Sequence, residues 1–141
     1  MKIFISHPEA NKLKLSDESP VNIESIKSIE DASCTSIQMN NILDFIPPEN
    51  RENALSVIVS KTRIDGIVQI NGVDILVMGD YISNHLVSID EINASLFQGR
   101  VSTDSVLSVS KKLQALGFSI ELIKLDGFIY NIIAKRKPLN V

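Results

Sequence analysis

The sequence predicts an α/β fold built on one mostly parallel sheet, and three observations carry that expectation. Between residues 36 and 73 a β-branched run, a helical pattern and a second β-branched run follow one another. Near the C-terminus an Asp-Gly pair joins two further apolar runs. Those two runs are apolar on both faces, which fits a sheet covered by helices on either side better than a one-sided sandwich.

Residues 36–39 form a short strand candidate leading into Asn40 and Asn41, and Pro47-Pro48 forbids a continuing regular element. Residues 51–61 place Ala54, Leu55, Ile58 and Val59 at helical spacing, after Glu49 and Asn50, which suit a helix N-terminus. Ile64-Asp65-Gly66 makes a turn, and residues 67–73 form a strand that stops at Asp74. Strand, helix and strand make a right-handed crossover, whose ligand crevice lies beyond the strands' carboxyl ends. Asn40, Asn41 and Asp74 gather there as candidate binding residues.

The stretch through Asp80 and Tyr81 shows no clear pattern. Ser88-Ile89-Asp90-Glu91 matches a capping box that opens a short helix, with Ile89, Ile92 and Leu96 on one face and Gly99 as its stop. A longer helix starts near Ser102 or Thr103, buries Val106, Val109, Leu113 and Leu116, and ends at Gly117. Residues 118–125 and 128–134 flank Asp126-Gly127, the pair suited to a type I′ hairpin turn. That turn sets Leu125 opposite Phe128, Ile123 opposite Tyr130, and Ile120 opposite Ile133. Residues 7–35, with Pro8, Pro20 and weak periodicity, read as irregular connections, with one short edge strand from residues 21–23 or 26–29.

A chain of 141 residues predicts a single domain with a core large enough to need no covalent staple. The lone Cys34 cannot close an internal disulfide and reads as a small buried group, and no Cys/His cluster has metal-ligand spacing, so no metal is expected. Apolar runs are too short to span a bilayer and no signal-peptide core opens the chain, so a cytoplasmic, unexported protein is expected. Net charge is −3, yet residues 111–141 carry six basic and two acidic groups. Without stacking aromatics, that basic end reads as a solvated tail, not a nucleic-acid surface. His7 and His85 have no carboxylate or thiol at triad spacing, and Ser108 and Ser110 lie within a helix, so no catalytic residue is indicated.

The order of elements over residues 36–137 resembles the C-terminal two-thirds of a class I S-adenosylmethionine-dependent methyltransferase. The stretch SIQMNNILDFIP at 36–47 looks like the family's fourth strand and its loop; residues 54–74 look like the following helix, the usual Gly-Gly turn written as Asp65-Gly66, and the fifth strand. GFSI at 117–120 with DGFIYNIIAKR at 126–136 resembles the final antiparallel pair that marks these enzymes among doubly wound, Rossmann-like sheets. Residues 93–99 are also similar to a stretch of small methyltransferase-like proteins of tailed phages, which implies a host cytoplasm as the setting.

The resemblance implies that residues 1–6 are the first strand and that Ser6, His7, Asn40, Asn41 and Asp74 are the positions facing the cofactor. The family's GxGxG loop is replaced by His7-Pro8-Glu9-Ala10-Asn11, where Pro8 removes an amide and His7 and Glu9 add bulk. Asp17 and Glu18 are the candidates for the ribose-binding acid. About 35 residues before the fourth strand are too few for three strands with full crossover helices, so the N-terminal half reads as shortened. Two functions follow: a methyltransferase-like binding or assembly protein that has lost its cofactor, or a minimal methyltransferase using S-adenosylmethionine. The shortened side would leave a strand edge exposed, which predicts a homodimer or another protein partner there.

Overall fold

The computed structural model describes residues 1–6 and 21–139. Among them the elements run β1 (Lys2–Ser6), β2 (Val21–Asn22), β3 (Cys34–Asn40), α1 (Arg51–Lys61), β4 (Thr62–Val73), α2 (Ile75–Ser83), α3 (Ile89–Leu96), α4 (Val106–Ala115), β5 (Phe118–Asp126) and β6 (Ile129–Arg136). One sheet joins the strands in the order β2-β1-β3-β4-β6-β5. The first four are parallel, and β6 runs antiparallel to both β4 and β5. The expected edge strand is therefore present at Val21–Asn22, followed by 3₁₀ turns at Ile23–Ser28 in place of a full helix. The rest of the irregular stretch expected at 7–35 includes residues 7–20, which lie outside the described residues.

Strand alternation decides where the core lies. Two cross-strand ladders, Ile3–Ile37–Val68–Ala134–Ile120 and Ile5–Met39–Ile70–Ile132–Ile123, run across one face. Their β1, β3, β4 and β6 members are buried with Leu55 and Ile58 of α1 and Val109 and Leu113 of α4. The opposite face carries Gln38, Gln69 and Ile133 in one ladder and Asn40, Asn71 and Asn131 in the next. Apart from the buried Asn40, these side chains are half-buried. The expectation of helices packed over both faces is thus met on one face among the described residues. β-branched residues at Ile67 and Ile133 disguise a face that also carries five amides and, in the ladder through Ile67, Ser36 and Lys135.

Four other expectations need correcting. Residues 75–87, without a pattern in sequence, contain α2, because Asp74 caps a helix there. β4 begins at Thr62, not 67: Asp65 at φ +64° and Gly66 make an irregularity inside a longer strand. A Cβ on Gly66 would lie 2.8 Å from the Arg63 carbonyl, so the close backbone approach requires glycine. The last helix opens at Val106 with Ser105 as its cap, because Ser102 is used elsewhere, its hydroxyl donating to the carbonyls of Leu43 and Ile46. The hairpin loop is Gly127-Phe128, not Asp126-Gly127, so Leu125 faces Tyr130, Ile123 faces Ile132 and, beyond a bulge, Ile120 faces Ala134. Only Gly127 of the loop pair has positive φ, at +61°; that is the II′ pattern, with glycine first.

The capping box at Ser88 and Glu91 is present. Yet no residue of α3 is buried: Ile89 is 71% exposed, and Ile92 and Leu96 of its apolar face are only half-buried among the described residues.

Candidate ligand site at the carboxyl end of the sheet

Adjacent parallel strands β3 and β4 bring Asn40, Asn41, Asn71 and Asp74 to one end of the sheet. Asn40 ends β3, and Asn41 turns the chain with φ +58°, a conformation asparagine tolerates better than most residues. The Asn41 backbone N–H donates to Asn71 Oδ1 at 2.7 Å, and its Nδ2 lies 3.4 Å from Asn40 Oδ1. Asn41 Oδ1 is buried and has no hydrogen-bond partner among the described residues. Ser6 ends β1 in the same sheet, beside Asn22 of β2. His7, Asp17 and Glu18 lie outside the described residues.

Asp74 is spoken for by the fold. Its Oδ1 accepts from the backbone N–H groups of Leu76 and Val77, capping α2, and its Oδ2 accepts from Val106 N–H at the start of α4. One buried carboxylate therefore satisfies orphan donors of two helices, which is why β4 stops where it does. Its own N–H donates to the Phe128 carbonyl at 2.7 Å, tying the hairpin loop to the same junction.

A second polar cluster, which the sequence reading did not single out, lies under the core face at the same end. Asp44, fully buried, accepts at Oδ2 from Val73 N–H and from Arg100 Nε, at 3.0 and 3.1 Å. Its backbone carbonyl accepts from the N–H groups of Val101 and Ser102. Arg51, at the first position of α1, donates to the Leu43 carbonyl and to Ser102 Oγ and lies 3.4 Å from Asp104 Oδ2. Lys112 pairs with the same Asp104 oxygen at 3.0 Å, and the Arg100 guanidinium stands over the Phe45 ring. The signal in sequence was faint. Asp44 sits among Ile42, Leu43, Phe45 and Ile46, where an isolated charge in an apolar run implies a buried partner.

Burial raises the Asp44 pKa more than the Val73 N–H and the two arginines lower it. Burial works the same way on Asp104, but bonds from Ser108, Lys112 and Ser105 N–H overcome it and hold its carboxyl below the usual range. Tyr130, buried near these carboxylates, is pushed far upward by desolvation and stays neutral. Among the described residues no group of three His, Cys, Asp or Glu is placed to hold a metal. No helix of the described residues is long and apolar enough to cross a membrane.

The fold superposes on solved structures. A SAM-dependent methyltransferase from Archaeoglobus fulgidus superposes with a TM-score of 0.62 at 16% identity, over 94% of this chain and 74% of that one. The fold is that of a class I methyltransferase. A possible histamine N-methyltransferase from Thermotoga maritima gives 0.59 at 16% identity, over 84% of this chain and 63% of that one. A Burkholderia thailandensis 1,6-didemethyltoxoflavin-N1-methyltransferase, solved with S-adenosylhomocysteine, gives 0.56 at 13% identity, over 80% of this chain and 48% of that one. This methyltransferase-like chain therefore spans less than two-thirds of the length of the last two. No protein-family model matches it, and no curated protein matches it in sequence.

Proposed function

We propose that this methyltransferase-like chain has lost S-adenosylmethionine binding and acts as a binding or assembly protein. The observation that carries this reading is Asp74: both carboxylate oxygens accept from helix N-termini, two donors at Oδ1 and one at Oδ2, and the residue is buried, which leaves little of it for a ligand. The sequence adds His7-Pro8-Glu9 where the family's bare glycine loop would let a cofactor approach. A fold carries no activity by itself.

One observation favours the alternative, a minimal methyltransferase. Asn41 Oδ1 is a buried acceptor without a partner among the described residues, at the end of the sheet where such a ligand would lie. Calorimetric titration with S-adenosylmethionine separates the two readings. Silence at millimolar ligand is expected; micromolar binding overturns the proposal.

Assembly would take the simplest form as a homodimer. At the N-terminal edge β2 pairs only with Ile5 and Ser6, so the expected open edge is present on Lys2–Phe4 among the described residues. A richer apolar surface lies on α2, α3 and their flanks, where Leu76, Leu86, Ile89 and Phe97 are each about two-thirds exposed or more. An obligate dimer would bury on the order of 2,000 Å² or more in total. Light scattering behind a sizing column across a hundredfold dilution checks it: a persistent 15.6 kDa species rules the homodimer out.

A further inference from the structure

The two ends of the sheet differ in the charge they expose. At the carboxyl end, residues 75–99 hold Asp80, Asp90 and Glu91 and no lysine or arginine. Their place at that end is fixed on both sides. Asp74 caps α2 directly after β4, and Tyr81 of α2 packs edge-to-face on Phe128 in the hairpin loop. The chain leaving α3 returns to Asp44, just beyond β3, through Arg100 and the N–H groups of Val101 and Ser102. All three acids are exposed, and so are Leu86, Ile89 and Phe97 of the same segment.

At the opposite end, Lys2 opens β1, Arg63 is the second residue of β4, and Lys137 follows β6. Because β6 runs antiparallel to β4, it finishes where β4 starts. These three cations are exposed, as are Met1, Ile64 and Leu139 near them in the chain. The acids of that end, Glu30, Asp31 and Asp65, are outnumbered. Asp31 pairs with Lys61 at 2.6 Å, Asp65 lies 3.8 Å from Lys135 Nζ, and Arg136 adds a further charge as it donates to the Val59 carbonyl.

A symmetric contact through α2 and α3 would set acid against acid. The basic end offers the opposite sign together with apolar side chains. We infer that the chain stacks end to end on a second copy, the acidic, apolar surface of α2 and α3 on one against the basic, apolar end of the next. This rests on the assembly reading above and replaces its symmetric contact with a head-to-tail one. Apolar burial supplies the affinity, and charge complementarity sets the orientation. Since the two patches differ, each pair keeps one free end of either sign, so the assembly grows further or closes into a ring.

Light scattering behind a sizing column tests this on the intact chain and two variants, each checked for folding by circular dichroism. The unmodified chain should exceed 15.6 kDa and gain mass with concentration. Its association should weaken several-fold as sodium chloride rises from about 0.05 to about 0.5 M, because screening shortens the reach of the charges. Phe97→Arg blocks the acidic end and Arg63→Glu the basic end, both at exposed positions. Each variant alone should stay a monomer, since every contact needs one end of each kind. An equal mixture should give a 1:1 dimer that grows no further, because one working end remains on each chain. A monomer at every concentration of the unmodified chain overturns this inference and the assembly reading together. Association that ignores salt, survives in either variant alone, or is not restored in the mixture overturns the head-to-tail contact while the assembly reading stands. The salt response belongs to the unmodified chain, so it decides even if a variant fails to fold.

Discussion

Asp74 and Asp44 are both buried near the carboxyl end of the sheet, yet the regions around them solve the burial of a carboxylate in opposite ways. Asp74 is surrounded by backbone donors: three N–H groups from two helix starts meet its two oxygens. Asp44 is surrounded by charge, with Arg100 and Arg51 beside it and one oxygen without a hydrogen-bond donor among the described residues. The first arrangement sets where helices begin. The second ties together segments far apart in sequence, since Asp44 holds the end of β4 through Val73 and residues 100–102 through Arg100 and its own carbonyl. A junction of backbone caps tolerates substitution in proportion to the caps lost, whereas a buried charge cluster fails as a unit.

Removing Asp44 is therefore expected to cost most. Asp44→Ala leaves the nearly buried Arg100 guanidinium without its carboxylate, removes the countercharge beside Arg51 and strands the Val73 N–H, which should destabilise the fold by about 3–5 kcal/mol. Urea unfolding followed by circular dichroism checks this, and a loss below about 1 kcal/mol would show that the arginines find other partners. Asp74→Ala removes the cap of α2 and the acceptor of the Val106 N–H at the start of α4, whose own cap Ser105 remains, and should cost roughly 2–3 kcal/mol. If it proves costlier than Asp44→Ala, the contrast between the two regions is reversed.

Titration sharpens the same contrast. Burial raises the Asp44 pKa above its ordinary value. A group raised on folding contributes stability that is complete below its unfolded pKa and lost as pH rises through the folded one. Asp44→Asn cannot titrate, so the unmodified protein should gain stability relative to this variant as pH falls from neutral towards the ordinary carboxylate range. Asp104, whose pKa is lowered, acts in the opposite sense but is present in both proteins and drops out of the difference. Urea midpoints of the two proteins at several pH values give the slope, and a slope of the other sign rules out the raised pKa.

The contrast also explains what the sequence could show. β3, α1, the capping box and the hairpin were legible because each is fixed within a few residues, by side-chain spacing or by a turn pair. Asp74 was legible as a special residue because it ends a β-branched run, but its partners Val77 and Val106 lie on two helices, so capping looked like ligand binding. Asp44 was overlooked because Arg100, 56 positions away, declares nothing locally. The hairpin register slipped for a related reason: the Phe128 carbonyl is held by Asp74 N–H, a contact that places Phe128 in the loop.

That link makes Gly127 a smaller probe of the Asp74 region. Its φ of +61° resists a β-branched residue, and Tyr81 closes the other side at 3.9 Å from any added Cβ. Gly127→Val should cost on the order of 1 kcal/mol or more. It should also disturb the edge-to-face contact between Tyr81 and Phe128, whose ring centroids are 5.8 Å apart. An unchanged melting temperature would disprove the strained turn.

The smallest effect belongs to α3, which begins beyond the reach of either aspartate. Its start is secured by Ser88 Oγ accepting from Glu91 N–H at 3.1 Å, with the Glu91 carboxylate reaching back to Ser88 N–H. None of its residues is buried, so this helix depends on its cap where α4 also has a core face. Ser88→Ala should therefore remove about 0.5–1 kcal/mol of local helix stability while leaving global unfolding nearly unchanged. Amide exchange reads the two separately: residues 91–96 should exchange several-fold faster, and the amides of β4 and β6 should keep their rates. If those sheet amides accelerate as well, α3 is coupled to the Asp74 junction through α2 and shares its stability.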